Sequence, residues 1–298
     1  MQFTTVQELV TLCEDHHLPV WDVMIAQEIE LTERTRAEII EDMSHKVDVM
    51  YASIVQGEAG VTSYSGISGG DAKRMRTYID QGLGLSGDFL LEAVAAALAV
   101  NEVNASMGII CATPTAGSAG VVPGVLYSCS RRLQLSREDQ VHFLLTAGAF
   151  GLCIGNQAPI AGATGGCQAE VGSASAMAAA ALVAAAGGSP EMSAQALAMA
   201  MKNILGLVCD PVAGLVEVPC IKRNAMGVAN AISAAEMALA GIRSHIPADQ
   251  VIETMGRVGR IMPAAHRETA LGGLATTPAG RAIAQKLNEQ KADLIEER

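Results

Sequence analysis

Between Ala174 and Ala186 the chain is alanine interrupted only by Ser175, Met177, Leu182 and Val183. Alanine is the strongest helix former, and strands need short β-branched or aromatic runs, so this stretch reads as a buried helix with almost no side chain. The rest of the chain repeats the theme. Hydrophobic residues make up 50% of the 298 positions but aromatics only 3%, with 30 glycines and 14 methionines. A core built from Ala, Val, Leu, Ile and Met calls for tightly packed helices with small contact residues. No stretch alternates in the manner of a strand, and no period of 20–50 residues recurs. The expected fold is all-α, a single compact helical domain.

Helix starts are legible along the chain. Thr5 and Glu8 have capping-box spacing and open a helix to about His16. Pro19 and Trp21 start a second, ending before Thr32. From Glu33 a longer helix follows, with Ile39, Met43, Val47, Met50 and Ile54 at three- and four-residue steps. Further helices are expected from Ser86 or Asp88 to Asn104, from Ser136 to near Gly155, and over Glu170–Ala186 and Pro190–Leu205. Ile221–Ala240, Ala248–Ile261 and a charged tail from Arg281 to Glu297 complete the set. This divides the single domain into N-terminal helices (1–56), a Gly/Ser-rich loop (57–88), a core (89–270) and a charged helical tail (271–298).

Two irregular stretches suit ligand contact. The loop over Gly57–Asp88 is rich in Gly and Ser and carries Lys73, Arg74 and Arg76, a cluster that can attract a carboxylate or simply be solvated. The stretch CATPTAGSAGVVPG, Cys111 to Gly124, has Thr and Ser leading into a helix start, a ready anion site. It lacks the lysine of a phosphate-binding loop, so nucleotide binding is rejected.

Seven cysteines complete the picture. Cys13, Cys129 and Cys153 fall inside apolar helices and read as small buried hydrophobes. Cys111 is ambiguous. Cys167, Cys209 and Cys220 each lie at a helix-to-loop junction beside Gly or Pro, where N–H groups and a helix dipole favour thiolate. Three thiolates in irregular backbone can hold an iron–sulfur cluster or zinc and leave a coordination position open. Their spacing matches neither a zinc ribbon nor a compact ferredoxin. Among the histidines, His16, His17 and His245 are expected at the surface, His45 on a polar helix face and His142 at a helix interface. His266 has no assigned place.

Composition excludes several classes. An odd cysteine count without a visible leader argues against disulfides and for a reducing, cytoplasmic setting. A net charge of −11 disfavours nucleic acid. Mean hydropathy is +0.30, yet the apolar runs Phe143–Ile154 and Ala174–Ala186 fall short of the roughly 20 residues that span a membrane. No membrane association is expected.

The strings CATPTAGSAGVVPGVL, GCQAEVGSASAMAAAAL and GLVCDPVAGLVEVPCIKRNAMG resemble the α chain of the iron–sulfur, PLP-independent L-serine dehydratases, over nearly the whole chain. The resemblance implies a [4Fe–4S] cluster on Cys167, Cys209 and Cys220, with the remaining iron acting as Lewis acid on the hydroxyl of L-serine. It implies that serine becomes pyruvate and ammonia. Substrate positioning is then expected from Thr113, Thr115, Gly117 and Ser118, from Ser65, Ser68 and Gly69, and from Asn156. Lys222 and Arg223 are placed to tune a cluster cysteine or bind carboxylate. Single-chain members carry a Ser-Ser-Ser-His-Thr type motif in a second domain, and some end in a cysteine that reaches the cluster; this chain has neither. A β chain and a hetero-oligomer are therefore expected. No general base is named in this chain, and the β chain is one source for it. A non-catalytic helical cluster or zinc sensor is the alternative.

Overall fold

Two helices that expose almost nothing organise the molecule. In the computed structural model, which describes the backbone of residues 1–296 and side-chain environments through residue 290, these are α5 (Asp88–Ala105) and α9 (Ser173–Ala185). The other helices are α1 (Val6–His16), α2 (Val20–Thr32), α3 (Arg36–Ala59), α4 (Asp71–Asp80), α6 (Val121–Leu133), α7 (Arg137–Gln157) and the single turn α8 (Gly162–Gly165). After α9 come α10 (Pro190–Lys202), α11 (Cys220–Leu239), α12 (Ala248–Ile261) and α13 (Pro278–Glu296). Among the described residues, extended pairing is limited to two isolated bridges, Thr62 with Gly69 and Cys209 with Arg267. The fold is all-α and forms one compact domain. Glu297, where the tail helix was expected to end, lies outside the described residues.

Small residues let the helices touch backbone to backbone. α9 is enclosed by α6, α7, α10 and α11, and α5 by α3, α4, α6 and α11. A Cβ on Gly57 of α3 would stand 2.4 Å from the carbonyl oxygen of Ala99 on α5, and one on Gly120 would stand 2.4 Å from that of Ala97. Glycine inside a helix costs about 1 kcal/mol against alanine, and closer packing has to return at least that. Phe143 and Phe150 are the aromatic side chains among the largest fully buried groups. His142 does lie at a helix interface, stacked on Trp21 with ring centroids 3.7 Å apart.

The stretch 57–88 differs from expectation. α3 continues to Ala59, and α4 interrupts what composition reads as one loop. The first N–H groups of α4 are capped by Glu102 of α5, whose carboxylate accepts from Asp71 N at 2.7 Å and Ala72 N at 3.2 Å. The two arginines of the basic cluster are engaged internally: Arg76 pairs with Glu58 at 2.7 Å and Arg74 with Asp71 at 2.7 Å, and Asp71 also takes Lys222. Among the described residues, no helix is long and apolar enough to cross a membrane.

Candidate active site

Three chain reversals place the junction cysteines within reach of one another's charge. Cys167 precedes a π-helical turn, Gln168–Gly172, that runs straight into α9. The preceding Gly166 has φ +76, and a Cβ there would meet Met262 and the carbonyl of Leu207. Buried Gln168 locks this corner: its Nε2 donates to the carbonyls of Gly165 and Met255, and its Oε1 accepts from Gly206 N at 2.9 Å. Cys209 is held by its backbone, donating to the carbonyl of His266 at 2.9 Å and accepting from Glu268 N at 2.8 Å. His266 thus belongs to the strap that fixes a junction cysteine. Cys220 is the first residue of α11.

All three thiols are buried, at 2%, 3% and 6% exposure. Burial pushes Cys167 up to about 11, with the Arg223 guanidinium acting in the opposite direction. Burial likewise pushes Cys220 up to about 12, and the charges of Cys167 and Glu170 add to it. Cys209 is raised for the same reason, then by Cys167, Glu170, Cys220 and Glu268. Cys209 therefore feels the charge of both other thiols, and Cys220 that of Cys167. The expected ease of ionisation beside a helix start does not hold for the bare chain, because lost hydration outweighs the helix dipole. A bound cation is what makes such a set of thiolates stable.

This has a consequence for stability. The three thiols titrate above the ordinary value of 9.0, so the folded chain holds protons that the unfolded chain releases first. Their contribution is fully present below about pH 9 and falls as pH rises toward 12. Metal-free protein should unfold at lower urea concentration at about pH 10.5 than at about pH 8. An unchanged midpoint would contradict the burial of these thiols.

The Thr-rich loop packs against the cysteine corner. Thr115 Oγ1 donates to Glu170 Oε1 at 2.7 Å and lies 3.2 Å from Ser118 Oγ. The hydroxyl of Thr113 is buried without a hydrogen-bond partner. The carbonyl of Gly117 accepts from Asn224 Nδ2 at 2.8 Å, and Asn224 Oδ1 accepts from Gly120 N at 3.0 Å. Asn224 Nδ2 also reaches the carbonyl of Cys220 at 2.9 Å. Fully buried Asn224 thereby clamps the Thr-rich loop to the start of α11. Thr113, Thr115, Gly117 and Ser118 thus form one group with Glu170, Asn224 and the cysteine junctions.

Ser65 and Ser68 are placed differently. Both hydroxyls donate to the Glu217 carboxylate, at 2.7 and 2.6 Å, three residues before Cys220. Gly69, with φ +137, closes this hairpin, since a Cβ there would stand 2.2 Å from the carbonyl oxygen of Val61. Asn156 stays exposed in the last turn of α7, without a side-chain hydrogen bond to the group. Lys222 is engaged by Asp71, whereas Arg223 lies 2.9 Å from Asp210 and beside Cys167. A separate cavity of about 460 Å³ is lined by Trp21, His142 and Phe143 and contains none of the three cysteines.

Glu170 is the residue that sequence reading passed over. Its sequence context marks only the start of a helix, yet its carboxylate faces the Thr-rich loop and the Cys209 thiol together. The available signal is the one charged residue in the string CQAEVG, shortly after a junction cysteine and before the alanine-rich helix.

A family model described as "Serine dehydratase alpha chain" matches residues 15–275. The chain belongs to that family. It is 58% identical over 285 residues to "Probable L-serine dehydratase, alpha chain" of Bacillus subtilis, covering 96% of this chain and 95% of the relative. Identity to "L-serine dehydratase, alpha chain" of Peptoniphilus asaccharolyticus is 44% over 281 residues, covering 94% and 96%. A longer relative, "L-serine dehydratase" of Streptomyces coelicolor, is 40% identical over 281 residues, 92% of this chain but 60% of that one.

Proposed function

We propose that this chain is the α chain of an L-serine dehydratase, converting L-serine to pyruvate and ammonia. The observation that carries the reading is that three buried thiols, within reach of one another's charge, share a corner of the fold with the Thr115–Glu170 pair, in a chain of this family. The donor set suits a [4Fe–4S] cluster. Among the described residues no three His, Cys, Asp or Glu side chains converge closely enough for a single metal ion. Cys209 nevertheless feels the charge of both other thiols, as ligands of one shared cluster would. Cys167, Cys209 and Cys220 would hold the cluster, which supplies Lewis acidity toward a hydroxyl leaving group.

The chain's own residues do the remaining work of positioning. Thr113 offers an unpartnered buried hydroxyl, and Thr115 and Ser118 form a short hydroxyl chain ending on Glu170. Asn224 keeps that loop in register with Cys220, so substrate held by the loop stays fixed relative to the cluster ligands. Arg223 offsets negative charge at Cys167. Elimination of water from serine leaves an enamine, which tautomerises and hydrolyses to pyruvate and ammonia without further help.

A β chain completes the enzyme in this reading, giving a hetero-oligomer in the cytoplasm. Support comes from the relatives named "alpha chain", which match this chain in length, and from the Streptomyces relative, about two-fifths of whose own length lies outside the shared part. The seven cysteines are free thiols, in keeping with a reducing compartment. The test is anaerobic co-expression with the β chain, then a visible spectrum and a pyruvate assay on L-serine, L-threonine and D-serine. Pyruvate from L-serine, with brown absorbance, is the expected result. A colourless or inactive complex after anaerobic iron and sulfide reconstitution would overturn the reading.

A further inference from the structure

We infer that the Glu170 carboxylate accepts the α-ammonium group of the substrate, an assignment that rests on the amino-acid dehydratase reading above. Thr115 pins Oε1 at 2.7 Å, so the group has a fixed aim. Two glycine backbones press against it. A Cβ on Gly117 would lie 3.0 Å from both carboxylate oxygens, and one on Gly162 would lie 2.8 Å from Oε2. That same Cβ on Gly162 would lie 3.1 Å from the Cys209 sulfur, so carboxylate and thiol share one wall. Both positions lack side chains where the carboxylate needs room.

Charge then decides the occupant. Glu170 is largely buried and raised by that burial, with Glu268 adding further negative charge. Among the described residues its polar partners are the Thr115 hydroxyl and the Gly162 backbone, and no cation pairs with it. The Arg223 guanidinium, beside Cys167, is engaged by Asp210, the Val208 carbonyl and Cys167 itself. A buried carboxylate without a counter-ion is costly, and an incoming ammonium group removes the cost. Serine carries one cationic group, its α-ammonium. Glu170 would therefore make the site one for amino acids rather than for hydroxy acids.

The experiment uses the anaerobic holoenzyme with its β chain, comparing wild type with Glu170→Gln. L-serine is the substrate, and 3-hydroxypropanoate, which is serine without its amino group, is the competitive probe. Hydrogen bonds to charged groups predict a rise of about 10- to 100-fold in KM for serine. The Ki of 3-hydroxypropanoate should change less than about 3-fold, with cluster absorbance retained. Equal weakening of both ligands, or an unchanged KM with lost kcat, would overturn the assignment. Should the glutamine variant lose its absorbance, Glu170→Asp decides: charge kept but withdrawn should still raise KM for serine alone, and equal shifts count against the proposal. A wild-type complex inactive on serine would instead overturn the dehydratase reading, and this inference with it.

Discussion

Replacing Cys167, Cys209 or Cys220 by alanine should each abolish the visible absorbance of the anaerobic protein and lower pyruvate formation from L-serine by at least about a thousandfold. A Lewis acid acting on a poor leaving group supplies several kcal/mol of transition-state stabilisation, and each ~1.4 kcal/mol is a factor of ten in rate. The three thiols are coupled: Cys167 raises the cost of ionising both Cys209 and Cys220, Cys220 adds to that of Cys209, and a shared cation relieves all of them. Losing one should therefore release the cluster rather than weaken it by a third. Cys153→Ala is the control. Cys153 is as buried as these and its thiol is likewise raised, but it lies inside α7. Its loss should cost about 1 kcal/mol of stability and leave absorbance and turnover in place. Normal serine turnover in any of the three junction variants would sink the ligand assignment.

The parts of the fold that could be read in advance are those whose signals are local. Capping boxes at Thr5 with Glu8 and at Ser136 with Asp139 mark the starts of α1 and α7, and Ser189 with Pro190 marks α10. The third capping box, Thr35 with Glu38, puts the start of α3 slightly later than its apolar pattern suggests. α4 was hidden because its cap is not local. Glu102 supplies it from 30 and 31 residues away, and the helix buries little beyond Ala72, so neither cap nor periodicity is visible. Asp249 does the same for α1, accepting from Val6 N and Gln7 N.

The site divides along the same line. The cysteine junctions stand out because Gly and Pro flank them, and the Thr-rich loop because of its hydroxyls. The partners of those groups do not. Ser65 and Ser68 look like free hydroxyls in a glycine-rich loop, but Glu217 takes both across about 150 residues. Glu170 meets Thr115 across 55 residues, and Asn224 reaches Gly117 across 107. A chain can advertise its donors locally, while the acceptors that organise them are set by the packing of α5, α9 and α11.

Asp210→Ala should cost about 3–5 kcal/mol of unfolding free energy, the loss expected when one member of a buried ion pair is removed. The side chains of Asp210 and Arg223 are 4% and 15% exposed and 2.9 Å apart. Oδ1 has no well-aligned hydrogen bond, so the attraction there is mainly one of charge. Removing the acid strands a guanidinium that also touches the Val208 carbonyl and Cys167. It also frees Leu274 N, which donates to Asp210 Oδ2 at 2.8 Å and closes the turn after the His266 strap. Asp210→Asn separates the two effects, since the amide oxygen can still accept from Leu274 while the charge is gone. Urea unfolding of the anaerobic protein should rank wild type above asparagine and asparagine above alanine. If alanine falls within about 1 kcal/mol of wild type, the ion pair does not hold the Cys209 loop against its strap, and the backbone bonds of Cys209 to residues 266 and 268 must suffice.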